Sequence, residues 1–269
     1  MDNWNNNNWK NDTWSSNQND LTGSDGYTVQ EGAGDDPYGT AYQYAYSLEL
    51  EEGRVQSVMT MSFVFMFVAL CISAMAAQFT ITSGLIVQIV FNNTLLGGLL
   101  VAELVIVVVA DICLDKNLLV PSVLFFIAYS VINGMTLSVI LLAYTASSVV
   151  SIFIMAALVF GAMAVFGAVT KKDLTGIGQI GFMLLLGIII MGIVNFGILK
   201  SSGLDLVLSG LGLAIFIGLT AYDTQKIKEM AMADMNRSAT VVGLAGALAL
   251  YLDFINLFLK LLRLFGKRR

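Results

Sequence analysis

Residues 117–170 read NLLVPSVLFFIAYSVINGMTLSVILLAYTASSVVSIFIMAALVFGAMAVFGAVT, and no Asp, Glu, Lys or Arg occurs among them. A membrane-spanning helix needs roughly 20 predominantly apolar residues, so this run holds two spans back to back and belongs in lipid. The whole chain agrees with that reading. Of 269 residues, 57% are apolar and 12% charged, against about 45–50% and about 25% in ordinary soluble domains. Mean hydropathy is +0.78. The expected fold is all-α, a polytopic membrane protein.

Working outward from that run, apolar segments predict seven transmembrane helices near 56–79, 95–114, 118–143, 148–170, 177–199, 204–227 and 239–265. Most connections are short. Small residues recur in the segments, including Gly161, Gly167, Gly187, Gly192, Gly210, Gly212, Gly243 and Gly246, and small residues let helix backbones approach closely in lipid. This is a packing signal, and no internal repeat accompanies it. The domain division is a tail over 1–52 and a helical domain over 53–269. The tail is rich in Asn, Asp, Ser, Gly and Tyr, with Trp4, Trp9 and Trp14 at a spacing that fits neither helix nor strand. It reads as a disordered spacer; a docking motif built on the tryptophans is the alternative. No basic start leads into an early apolar core, so a cleaved signal peptide is not expected.

Charge separates the two regions. Residues 1–54 hold ten acids against Lys10 and Arg54, net −8, whereas the remainder holds nine acids against twelve bases, net +3. Placing the N-terminus in the cytoplasm puts Lys10, Arg54, Lys116, Lys171, Lys172, Lys226, Lys228 and Arg237 on that side and Lys200 on the other, as the bias of basic residues toward the cytoplasm requires. The last helix breaks the pattern. A full crossing sends Lys267, Arg268 and Arg269 outside; a segment that turns back leaves them inside.

Cys71 and Cys113 both fall in apolar segments, which implies inert buried thiols rather than a disulfide framework. The chain has no His, so a response to pH must come from carboxylates or Lys. In the Lys171-Lys172-Asp173 connection, Asp173 suits the positive end of the next helix. The many Phe, Tyr and Met side chains read as packing, and no cofactor is implied.

Ionisable groups inside spans cost about 2.5–3.5 kcal/mol on insertion scales, so each is a functional candidate. Here they are Glu103 and Asp111 on the second predicted helix, Asp205 and Asp223 near the two ends of the sixth, and Asp253 inside the seventh. Lys260 and Arg263 near the end of the seventh can snorkel to the interface, and Asp111 and Asp205 can reach it as well. Asp223 and Asp253 sit in two polar islands, Ala221-Tyr222-Asp223-Thr224-Gln225-Lys226 and Leu250-Tyr251-Leu252-Asp253-Phe254-Ile255-Asn256. Their midpoint falls at 238, where Asn236-Arg237-Ser238 offers a turn and Ser238 an N-cap. Fifteen residues down each arm of that hairpin is about 22 Å, which brings the two carboxyl groups level. Two carboxylates in contact away from water cannot both ionise cheaply and tend to share one proton. The alternative from spacing is that each Asp separately caps a helix or binds a backbone group.

At these residues the chain resembles the Bax inhibitor-1 family, also called the transmembrane BAX inhibitor motif family, and its bacterial calcium-leak members in particular. The resemblance rests on AYDTQK at 221–226, ALALYLDFINLFLKLLRLFG at 247–266 and TKKDL at 170–174, and extends loosely from Glu52 to the end, including INGMTLS at 132–138. It implies seven helices with the last one central, Asp223 and Asp253 as a hydrogen-bonded pH-sensing pair, and a passive calcium leak, with Ca2+ as the transported ion and no cofactor. Glu103, Asp111, Tyr222, Thr224, Gln225, Tyr251 and Asn256 then become candidates for the ion path or for support of the pair. A weak Ca2+ station on Asp223 and Asp253, extended to a three-acid site if Glu103 reaches them, fits the preference of that ion for oxygen. The expected partners are the lipid bilayer, Ca2+ and protons, with no nucleic acid, in a bacterial inner membrane. Two rivals stand beside this reading. An interaction protein would restrain another membrane protein, such as a protease or an apoptosis regulator. An intramembrane aspartyl protease also uses two acids on adjacent spans, but its second acid belongs in a Gly-x-Gly-Asp setting, which LYLDF does not supply, so an enzyme is not expected.

Overall fold

The structure, a computed structural model, describes residues 37–233 and 237–269. The chain divides into two units, residues 1–46 and Ser47–Arg269. Of the first, only the helical residues 37–46 are described; Trp4, Trp9, Trp14 and the rest of the N-terminal tail lie outside. The elements are α1 (Pro37–Thr82), α2 (Leu85–Phe91), α3 (Asn93–Asp115), α4 (Leu119–Leu142), α5 (Ala146–Val169), α6 (Thr175–Val194, ending in a π turn over Asn195–Leu199), α7 (Ser202–Ala233) and α8 (Ala239–Phe265).

Seven of these helices, all but the short α2, are long and apolar enough to cross a membrane. The seven segments read from hydropathy therefore each become one helix. The N-terminal boundary differs: α1 begins at Pro37, well inside the stretch expected to be without structure. Proline suits the first turn of a helix, where its missing amide costs nothing, and Ala, Leu, Gln and Glu sustain the helix behind it. The sequence reading also missed α2. Gly84 turns the chain at a positive φ of 77°, and Asn92 then caps α3, its Oδ1 accepting from the amides of Thr94 and Leu95 at 3.1 Å each.

The last span is the centre of the bundle. Over its most apolar window α8 is 78% buried, against at most 44% in any other span. It packs on α3, α4, α5 and α7, and α1 closes on it at two glycines. A Cβ at Gly243 would lie 2.8 Å from Cβ of Met61, and one at Gly246 would strike the Ser62 hydroxyl. Gly167 of α5 is tighter still, since a Cβ there would run into the carbonyl oxygen of Ala221 on α7. Gly161, Gly187, Gly192 and Gly210, by contrast, meet nothing within 4 Å. Small residues in a lipid-facing helix therefore mark contact only where they point inward. Aromatic residues of α8 pack as expected: Phe254 meets Phe153 and Phe160 edge-on at 5.3 and 5.5 Å, and Tyr251 meets Phe126 and Tyr129 at 5.9 and 5.7 Å.

The outer surface is apolar. Leu158 is 71% and Met183 72% exposed, which suits hydrocarbon and would be costly in water. The same logic corrects the cysteines. Cys71 is exposed and Cys113 half-buried, and both are free thiols; an apolar neighbourhood in this chain means lipid as readily as core.

Each end of the bundle has its own tie. At one end Arg54 of α1 donates from Nε to the Ala231 carbonyl at 2.8 Å and from its terminal nitrogen to the Arg237 carbonyl at 2.7 Å. Arg237 in turn donates to the Leu114 carbonyl at 2.7 Å and lies 3.9 Å from Asp115, so helix-end carbonyls left over from α3 and α7 are satisfied by guanidinium groups. Ser238 occupies the N-cap position of α8, but its side chain makes no capping bond. At the opposite end α8 stays helical to Phe265 and does not turn back. Its tail is stitched to the α4–α5 connection: the Thr145 amide donates to Lys267 O at 3.0 Å, the Arg269 amide to Ala143 O at 3.0 Å, and the Lys267 amide to Ser148 Oγ at 2.9 Å.

Gly167→Val should overpack the α5–α7 contact and cost about 1–3 kcal/mol, whereas Gly161→Val, facing open space, should leave the thermal unfolding midpoint in detergent unchanged. Equal midpoints for the two variants would contradict this packing.

Candidate functional site

The hairpin geometry holds: α7 and α8 run side by side, and Asp223 and Asp253 meet across them in side-chain hydrogen-bonding contact. Asp253 is 4% and Asp223 9% exposed. Asp253 Oδ2 is buried with no hydrogen-bond donor among the described residues. The exposed Lys226, one turn along α7, is the cation whose charge reaches Asp223. Neither Asp caps a helix, which removes the alternative left open by spacing alone.

The pair stands at one end of a partly open cavity of about 500 Å3 lined by α6, α7 and α8. Two stripes of side chains line it. On α7 they are Asp205, Ser209, Phe216, Leu219, Asp223 and Lys226; on α8, Asp253, Asn256, Lys260 and Arg263. These intervals repeat at three, four and seven residues, one face of each helix. Phe182, Leu185 and Ile188 of α6 form the third wall. From Asp205 to Lys226 is twenty-one residues of helix, about 31 Å, close to the thickness of a bilayer's hydrocarbon core, about 30 Å. At the end away from the acidic pair, Asp205 is fully engaged: one oxygen accepts from Asn195 Nδ2 at 3.0 Å and the other from Arg263.

Next to the pair, Gln225 fastens the α5–α6 connection to α7. Its Oε1 accepts from the Leu174 amide at 2.8 Å and its Nε2 donates to Lys172 O at 2.9 Å. In the same connection Asp173 accepts from the Thr175 amide at 2.8 Å, and hydrogen bonding from the Thr175 side chain, together with that amide bond, holds its exposed carboxyl below the usual carboxylate range. Tyr222 packs edge-on to Phe182 at 6.5 Å and lies flat against Gly178, where a Cβ would come within 2.6 Å of its ring. The Thr224 hydroxyl is turned into its own helix, donating to Thr220 O at 2.7 Å. Asn256 lines the cavity and donates to Leu252 O at 2.8 Å.

Three candidates lie elsewhere. Glu103 of α3 accepts from Thr136 Oγ1 of α4 at 2.5 Å and also bonds Asn133, so it is not brought to the acidic pair and the three-acid Ca2+ station is not assembled. Tyr251, fully buried, points away from the cavity: its hydroxyl donates to Asn133 Oδ1 at 2.9 Å and shares a 2.6 Å bond with Ser73 Oγ of α1. Together these residues tie α1, α3, α4 and α8. Asp111 is exposed and borders a separate groove against Ala245, Leu248 and Leu252 of α8. Sequence reasoning missed Ser73, Arg54 and Arg237 as structural ties. Ser73 carries no signal, being one hydroxyl in an apolar run; the two arginines were read as topology markers only.

An all-helical bundle with a buried last span and an acidic pair shared between its final two helices defines a class of polytopic membrane proteins. The chain belongs to that class by sequence: the family model described as inhibitor of apoptosis-promoting Bax1 matches residues 55–269, and the chain is a member of this Bax inhibitor-1 family. Among its relatives is the inner membrane protein YbhL of Escherichia coli, 41% identical over 219 residues, covering 80% of this chain and 93% of that one. A Borreliella burgdorferi protein is 39% identical, covering 77% and 90%, and a Deinococcus radiodurans protein 34% identical, covering 84% and 97%.

Gln225→Leu should free the α5–α6 connection. With two neutral hydrogen bonds lost, each worth about 1 kcal/mol, trypsin should cut at Lys171 and Lys172 up to about thirtyfold faster. An unchanged cleavage rate would remove Gln225 as the fastening.

Proposed function

We propose that this chain is a pH-regulated passive calcium leak, with Asp223 and Asp253 as the proton-sensing pair and the α6–α7–α8 cavity as part of the ion path. The observation that carries the reading is the Asp253 carboxyl group, buried against a second carboxyl group and with one oxygen that has no donor among the described residues. Two charges of one sign in contact and out of water are costly, so the pair holds a proton in common. With that proton the carboxyl groups tie α7 to α8; without it they repel. Proton binding is thereby converted into a change in helix packing next to the cavity, in a chain that has no His to do it.

Ca2+ is the cargo. Carboxylate and amide oxygens suit it, and among the described residues no group of three or more His, Cys, Asp or Glu converges to hold a metal ion firmly. Weak binding is what a leak needs, because the ion must also leave. In this reading the Arg54 end faces the cytoplasm of a bacterial inner membrane. The basic C-terminal tail lies on the other side, held against the charge bias by its bonds to the α4–α5 connection.

The test is Ca2+ entry into dye-loaded liposomes containing the purified protein, followed between about pH 5 and pH 8, the range where a perturbed carboxyl pair must titrate to act as a sensor. Wild-type flux should depend on pH, and both Asp223→Asn and Asp253→Asn should abolish that dependence. Flux that keeps its pH profile in both variants would reject the pair as sensor. No flux above empty liposomes at any pH would favour a protein that acts by binding a membrane partner.

A further inference from the structure

In a path for divalent cations, the least expected feature is a positive charge. Lys260 lines the cavity two turns, about 10 Å, beyond Asp253 and one turn before Arg263. Arg263 is paired with Asp205, whose second oxygen is taken by Asn195. Lys260 is half-buried and makes neither a hydrogen bond nor an ion pair of its own among the described residues; the charges that reach it are Arg263 and Asp205. Its stem lies in a notch in α7, because Gly212 has no side chain there. A Cβ at Gly212 would come 2.8 Å from Cε, 3.3 Å from Cδ and 3.4 Å from Nζ of Lys260.

We propose that Lys260 is a tethered cation that sets the charge selectivity of the cavity, and that the Gly212 notch decides how far its ammonium projects into the path. The proposal rests on the calcium-leak reading. Repulsion from a fixed positive charge scales with the charge of the passing ion, so Ca2+ feels twice what Na+ feels at the same place. A leak with an ammonium in its wall therefore passes Ca2+ slowly and discriminates against it. The unpaired state of Lys260 is essential: a lysine neutralised by its own carboxylate would exert no such field. The acids that face it are Asp205, already engaged by Arg263 and Asn195, and the Asp223–Asp253 pair two turns away.

The experiment measures Ca2+ and Na+ flux into liposomes for the wild type, Lys260→Met, Gly212→Ala and the double variant, each first shown to be monodisperse. Removing the charge should raise Ca2+ flux on the order of tenfold and raise Na+ flux less, so the Ca2+ to Na+ ratio increases. Gly212→Ala fills the notch and pushes the flexible end of Lys260 into the cavity, so Ca2+ flux should fall; in the Lys260→Met background the same substitution should have no such effect. A second set uses Lys260→Cys in a chain carrying Cys71→Ala and Cys113→Ala. Attaching an aminoethyl group to that thiol should return flux to the wild-type level, and attaching a sulfonatoethyl group should not. The proposal is overturned if the wild type leaks but Lys260→Met leaves the ion ratio unchanged, or if both attached groups act alike. Absence of flux in the wild type and in every variant overturns the leak reading itself, and this inference with it.

Discussion

A carboxyl group deep in a helical bundle has to find a donor, a cation or a proton, because hydrocarbon offers none of the hydration that an ionised group gives up. Asp253 has no donor for its buried oxygen, and its carboxyl meets that of Asp223. Much of the architecture around the pair follows from accommodating them. The pair can meet only if α7 and α8 are adjacent and in register, which the Arg54 and Arg237 bonds help to enforce. The helices around the pair close on α7 at Gly167 and on α8 at Gly243 and Gly246. Where α6 stands away from α8, the result is the cavity.

The opposite face of α8 solves a similar problem differently. Tyr251, two residues from Asp253, is satisfied by neutral partners: Ser73 on α1 and Asn133 on α4, with Thr136 and Glu103 extending the network to α3. One helix thus carries a contact between two carboxyl groups on one side and a hydrogen-bonded network of largely neutral groups on the other. The network ties α8 to α1 and α4, and the carboxyl groups lie on the α7 side.

Much of this was legible in the sequence, for physical reasons. Charge-free runs reveal spans because lipid tolerates no alternative, and the acidic pair could be placed because an interval of thirty residues about a turn allows one hairpin register. Direction was harder to read. In a soluble helix an apolar residue points to the core, but here it can point either way, which is why Cys71 and Gly187 were assigned to packing and turned out to face outward. Glu103 and Asp223 look alike as membrane acids, and only helix rotation separates the one bonded to Thr136 from the one that lines the cavity. The start of α1 at Pro37 was hidden by composition, since the acidic, Tyr-rich stretch around it resembles the tail before it.

The stitching of the C-terminal tail onto the α4–α5 connection has a mechanical meaning. With one end of α8 tied at Lys267 and Arg269 and the other end continuous with the Arg237 anchor, the central helix is a stator. α6 is the reverse: it packs substantially on α7 alone, and its far end unwinds into a π turn followed by Lys200 in the left-handed region. The central helix is clamped at both ends, and α6 is the wall of the cavity held by the fewest neighbours.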